Sequence, residues 1–145
     1  MNTTYTLTDG TLLCWTIFTL HHDDGTEMQA RTGLRWEPSD PLAVLIEFIP
    51  RGSTPNVWAV SRDLLLDGMS APSDFGGDIQ VWPASPVCVG LYLASPFGCA
   101  QFSVSLNVLR DFLAATYHRC ARGAEYTGFE MDAELAALLH AEGRW

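Results

Sequence analysis

The run "LLCWTIFTL" from Leu12 to Leu20 is apolar on both of its alternating faces. Leu12, Cys14 and Phe18 fall on one side, and Leu13, Trp15 and Ile17 on the other. The run "LAVLIEFI" repeats the pattern, with Leu45 and Ile49 opposite Val44, Ile46 and Phe48. Successive side chains of a strand point to opposite faces, and an antiparallel sheet ordinarily leaves one face wet. A chain with two such strands must cover the second face, with helices or with a neighbouring subunit. The short helix and two longer ones predicted below leave part of it over, so a homo-oligomer is expected.

The remaining segments supply the rest of a sheet. Asp24-Gly25 marks a hairpin turn after the first strand, and "EMQARTGLRW" returns with Met28, Ala30, Leu34 and Trp36 on one face. "EPSDP" reads as loop because its two prolines oppose both helix and ladder. "NVWAV", "DIQVWP", "PVCVGLYLA" and "CAQFSVS" complete seven strands, the last two joined by the tight connection "SPFG". That connection sets Cys99 opposite Ala94 and away from Cys88. Two helices close the chain. One follows Ser105 with Leu106, Leu109, Phe112 and Leu113 on a stripe, and the other runs over "MDAELAALLHAEG". With 145 residues and no repeat or linker, residues 1–145 form a single domain. The fold class is α+β, with about seven mostly antiparallel strands, one short helix and two C-terminal helices.

The stretch "VWAVSRDLLLDGM" combines a strand, a cap and a helix within Val57–Met69. Ser61 is placed to accept from first-turn amides, and Asp63 sits at the positive end of the helix dipole. Gly68 is expected to end the helix by entering the left-handed region. Seven residues make no stable helix alone, so Leu64, Leu65 and Leu66 must be packed. They are expected to plug the sheet, with Trp58 and Trp82 on or beside them as structural core.

Several chemistries find no support. The net charge is −9, which repels phosphate and anionic surfaces. All eight basic residues are arginine, so Schiff-base chemistry and a phosphate-loop lysine are excluded. No G-x-S-x-G is present, and "FGGD" precedes a strand and not a helix. His21 and His22 are adjacent, and on a strand they point to opposite faces. Cys14, Cys88, Cys99 and Cys120 lie far apart without a C-x-x-C and read as small buried hydrophobes of a reducing compartment. No metal site, catalytic residue or cofactor is expected. The start lacks a leader pattern, and the longest apolar run is broken by Glu47. The expectation is a cytoplasmic protein without a transmembrane segment.

The strings "LRWEPSDPLAVLIEF", "VWAVSRDLLLDGMSAPSDFGGDIQVWP" and "FEMDAELAALL" together resemble the SsgA-like family of actinobacterial sporulation and cell-division regulators. The likeness runs from about Leu34 to Leu139 and is most specific in the central string. It implies a curved, barrel-like sheet that is similar to the single-strand-binding whirly proteins and that can assemble as a trimer. It implies non-enzymatic action in septum placement and peptidoglycan remodelling, through contacts with the tubulin-like division ring, its recruiters, wall-building machinery or family paralogues. It places the protein at the septum through those partners. The long amino-terminal segment, the four cysteines, the short "PASPVC" connection and Trp145 depart from the family pattern.

For partner contact the candidate is the loop "RGAEYTGF", with Arg122, Gly123, Glu125 and Tyr126 as a mixed polar and aromatic set. The rival functional reading is a single-stranded nucleic-acid-binding module, with Trp15, Trp36, Trp58, Trp82 and Tyr92 as a stacking platform. Its missing basic groove counts against it. An enzyme or small-molecule binder would instead need a polar pocket with convergent ionisable groups.

Overall fold

The computed structural model describes residues 2–49, 55–73 and 77–125. In chain order the elements are β1 (Thr4–Thr6), β2 (Leu12–His21), β3 (Glu27–Glu37), β4 (Asp40–Ile49), β5 (Asn56–Ser61), α1 (Arg62–Gly68), β6 (Ile79–Pro83), β7 (Cys88–Ser95), β8 (Gly98–Ser105) and α2 (Leu106–Arg119). All strand pairs are antiparallel, in the order β5-β4-β3-β2-β8-β7-β6, with β1 added beside β2. The seven-strand path is the curled α+β sheet expected above. The final helix over residues 131–143 lies outside the described residues.

Register follows from the turns. Gly25 adopts φ +87° in the β2–β3 connection, where Asp24 Oδ1 accepts from the Thr26 N–H at 2.9 Å. Ala94 pairs with Cys99 and Ser95 with Gly98, leaving Pro96 and Phe97 as the β7–β8 turn. These pairings put Cys14, Phe18, Leu34, Ile46, Val60, Leu91, Phe102 and Val104 on one face, where they form the core. Phe48 stacks on Phe102 at 4.3 Å between centroids, and Phe18 meets both edge-on. That cluster ties β4 to β8 across the curl.

Three local expectations are corrected. An eighth strand, β1, pairs Thr4 with Cys14 and Thr6 with Leu12, extending the sheet where the sequence shows only a polar start. The "EPSDP" segment is mostly ladder: Glu37 pairs with Asp40, and only Pro38 and Ser39 form the turn. The register jumps between Arg35↔Leu45 and Glu37↔Asp40, so Pro41 falls in a bulge, where a missing N–H is tolerated. Its carbonyl accepts the Trp36 Nε1–H at 3.0 Å.

The third correction concerns α1. Ser61 Oγ caps it through the Leu64 N–H at 3.2 Å, as the spacing requires. Gly68, however, does not enter the left-handed region. It is needed for closeness, because a Cβ there would lie 2.3 Å from Val81 Cγ1. The α1 backbone thus presses directly on β6. Leu65 is buried, while Leu64 and Leu66 pack on the core from its margin. Together these contacts seat α1 on β4, β5 and β6, bridging the two ends of the strand order. α2 is capped by Ser105 and buries Leu109, Phe112, Leu113 and Thr116.

Candidate functional site

Position 62 opens a helix, where a cation opposes the dipole, so Arg62 must find its reward elsewhere. It is fully buried. Its Nη1 donates to the carbonyls of Cys120 at 2.8 Å and Thr116 at 3.2 Å, capping the C-terminal end of α2. Its Nη2 meets Glu125 Oε2 at 2.7 Å. The guanidinium lies 4.0 Å from the Tyr117 ring centroid and 5.9 Å from that of Trp36. The Tyr117 hydroxyl donates to Asp63 Oδ1 at 2.6 Å, and burial and that carboxylate push its phenol pKa upward. One side chain therefore joins β3, α1, α2 and the 120–125 turn.

The turn itself is anchored. Gly123, at φ +84°, donates its N–H to both oxygens of Glu125, at 3.0 and 3.2 Å. Arg122 grips Asp67 through two hydrogen bonds of 2.7 and 2.9 Å and stands 3.5 Å from Asp63. Of the four residues expected to meet partners, Glu125 faces inward and Arg122 is tied to α1, with about half its side chain open to solvent. Tyr126 lies outside the described residues. Sequence reasoning missed Arg62, and its unfavourable place at a helix start, beside the Ser61 cap, was the available signal.

Burial works against the charged Glu125 carboxylate, but the Arg62 bond and the N–H groups of Glu125 and Gly123 hold it below the ordinary value of 4.5. A depressed folded-state pKa contributes stability above that ordinary value, lost as pH falls through the folded pKa. Glu125→Gln is accordingly expected to melt lower than the native chain at pH 7. The gap should narrow steadily below pH 4.5, as read by circular dichroism melts between pH 3 and 7.

The opposite sheet face carries Trp15 and Ile17, which are 40% and 49% exposed, with Tyr5 and Val57 also open. Trp15 lies over Gly33, where a Cβ would come within 2.9 Å of its ring, and Arg31 sits 5.2 Å from the ring centroid. Trp82 covers Gly90 in the same manner. Trp82 was expected beside the leucine pad. Its pairing with Gly90 puts it on the face away from Val81 and α1. Trp58 does face inward and packs on the core.

At the end away from α1 the curl stays open. Asn56 and Trp58 on one side, Leu93 and Phe97 on the other, and Phe48 and Phe102 beneath enclose a trough of about 1160 Å³. Among the described residues no carboxylate or histidine lines it, and Arg31, at its margin, turns to the outer face over Trp15. Among the described residues no three His, Cys, Asp or Glu gather to hold a metal. His21 instead shares a 2.8 Å hydrogen bond with Ser103 Oγ. Of the cysteines only Cys14 is buried, which raises its thiol pKa, and Cys99 is exposed, against the uniform burial expected.

Residues 30–125 match the family model described as Streptomyces sporulation and cell division protein, SsgA. The chain belongs to the SsgA family. It is 39% identical over 121 residues to the sporulation-specific cell division protein SsgB of Salinispora tropica, covering 80% of this chain and 84% of that one. Against SsgB of Streptomyces coelicolor the identity is 34% over 112 residues, 74% of this chain and 80% of the other. The crystal structure of the SsgA-like sporulation-specific cell division protein from Thermobifida fusca YX-ER1 superposes with a TM-score of 0.77 at 28% identity, covering 93% of this chain and 100% of that one. This SsgA-family chain therefore has a role in sporulation cell division, in a family of division regulators that is not a known enzyme family. No helix among its described residues is long and apolar enough to cross a membrane.

Proposed function

We propose that the chain is a non-enzymatic docking protein that helps place the sporulation septum and direct peptidoglycan remodelling by assembling on other division proteins. One observation carries the reading: Trp15 and Ile17 stand exposed on a rigid strand whose other face is core. An apolar patch on a stiff sheet serves association. The proposed first occupant is another copy of the chain, in the trimer that the family resemblance implies. Partners from the division ring, its recruiters or the wall machinery then meet the assembled form. In this reading Arg122 and Gly123, the exposed members of the 122–125 turn, remain points of partner contact.

Ile17→Arg tests it. The native chain should scatter as an oligomer at micromolar concentration, and the variant as a monomer with an unchanged thermal midpoint. A tagged native chain should gather at septa in sporulating cells, while the variant stays diffuse. A native monomer in solution, or a native chain that never localises, would refute the proposal.

A further inference from the structure

Three polar side chains meet on the outer sheet face, and the docking role uses none of them. His21 ends β2, Glu27 opens β3 directly opposite it, and Ser103 stands on β8, paired with Thr19. His21 Nε2 and Ser103 Oγ are 2.8 Å apart. Glu27 Oε1 lies 3.7 Å from His21 Nδ1. That distance is long for a hydrogen bond, so Glu27 acts by its charge. A carboxylate beside Nδ1 favours the tautomer that carries its proton there, which turns the Nε2 lone pair to Ser103. The hydroxyl then donates to His21. A nucleophile, a base within hydrogen-bond reach and a group that sets the base are the parts of an activated serine.

The surroundings select the chemistry. Ser103 is paired on both sides, with Gly90 on β7 and Thr19 on β2, so its own N–H serves the sheet. An acyl donor here gains no oxyanion support from that N–H and must bring its own activation. The Trp82 indole lies over Gly90, one strand spacing or about 4.8 Å from Ser103. It offers a face on which an aromatic leaving group stacks. We propose that Ser103 is a site of covalent acylation, taking the acyl group of an activated aryl ester with His21 as its general base. The Oγ–acyl bond forms as the Ser103 proton passes to His21 Nε2. The bond to the aryl oxygen then breaks, and the leaving group takes that proton. The acyl-serine persists, because attack by water would call on the same oxyanion support. The reaction is stoichiometric, and it stands beside the docking role without resting on it.

The test treats the full chain with 4-nitrophenyl acetate and maps acetyl groups by peptide mass spectrometry. The chain has no lysine, which removes the commonest competing amines, and mapping separates Ser103 from the exposed Cys99 thiol. Ser103 should be acetylated about a hundred-fold faster than Ser61 and Ser105, whose hydroxyls accept helix N–H groups instead. His21→Gln, which keeps a polar group beside Ser103, should lose that advantage. Glu27 is largely exposed, so Glu27→Gln should slow Ser103 acetylation with the melt unchanged, and Glu27→Asp should restore part of the rate. Under mildly alkaline conditions the His21 ring nitrogen shifts should report the Nδ1–H tautomer, moving toward Nε2–H in Glu27→Gln. Trp82→Ala should erase the preference for the aryl ester over trifluoroethyl acetate, each rate taken relative to free imidazole. Acetylation of Ser103 no faster than at Ser61 and Ser105, a His21→Gln chain labelled at the native rate, or an Nε2–H tautomer in the native chain would each overturn the inference.

Discussion

Arg62→Ala is expected to lower stability by about 3–5 kcal/mol, the cost of leaving one member of a buried ion pair behind. For a domain of this size that is a fall of about 10–15 °C in the melting midpoint. The loss has three sources in the geometry. Glu125 keeps its charge in a buried position with only backbone N–H groups to serve it. The Cys120 carbonyl loses its Arg62 donor, and the Thr116 carbonyl keeps the Cys120 N–H alone. The Tyr117 and Trp36 rings lose the planar cation between them. Lysine cannot replace a fork that reaches two carbonyls and a carboxylate at once, so Arg62→Lys should recover little. Pairing Arg62→Met with Glu125→Leu should recover part of the loss, since removing both charges spares the desolvation. The recovery stays partial because the Cys120 carbonyl still lacks the donor that Arg62 supplied. Arg122→Ala, which opens an exposed grip on Asp67, should cost far less than Arg62→Ala. Equal losses from the two arginine variants would show that burial of Arg62 does not govern the clamp.

The second large effect is expected at Gly68. Alanine in place of glycine usually steadies a helix by about 1 kcal/mol. Here the sign should reverse. A Cβ at position 68 would lie 2.3 Å from Val81 Cγ1 and 2.4 Å from Val81 Cβ, both in the closed core. Overpacking of this kind costs about 1–3 kcal/mol, and α1 must lift from β6 to relieve it. Val81→Ala should not rescue Gly68→Ala, because the Val81 Cβ is itself too close. Gly90→Ala is the comparison. Its Cβ would meet Trp82 at 2.2 Å, but that side chain lies on the outer face and is free to swing toward solvent. The expected signature is a red-shifted tryptophan emission with little change in midpoint. A stabilised Gly68→Ala chain would show that the α1–β6 contact is looser than described.

What the sequence disclosed and what it concealed divide along physical lines. Asp24-Gly25, the Ser61 cap and the Ala94↔Cys99 register were legible because each depends on neighbours within a few residues. Two-faced apolarity in β2 correctly raised the problem of an uncovered face, and the structure leaves Trp15 and Ile17 open on it. Gly68 was misread because a close approach to Val81 is a tertiary fact, while a helix-ending glycine has a ready local explanation. Trp82 does not join the leucine pad as expected, because its register opposite Gly90 turns it to the other face. Arg62 and Glu125 are 63 positions apart, and nothing in either neighbourhood announces the other.

The sheet also has an uneven seam. Within β2–β5 and within β6–β8 each strand pairs with its neighbour in sequence, whereas β2 meets β8 through only Thr19↔Ser103, Leu20↔Phe102 and His21↔Gln101. Those partners enclose more than half the chain between them, and the entropy of closing a loop grows with its length. Chain entropy therefore weighs most on this three-rung stitch, which the Phe18, Phe48 and Phe102 rings reinforce. The two meanders are local architectures in their own right, and one aromatic rivet makes them a single body.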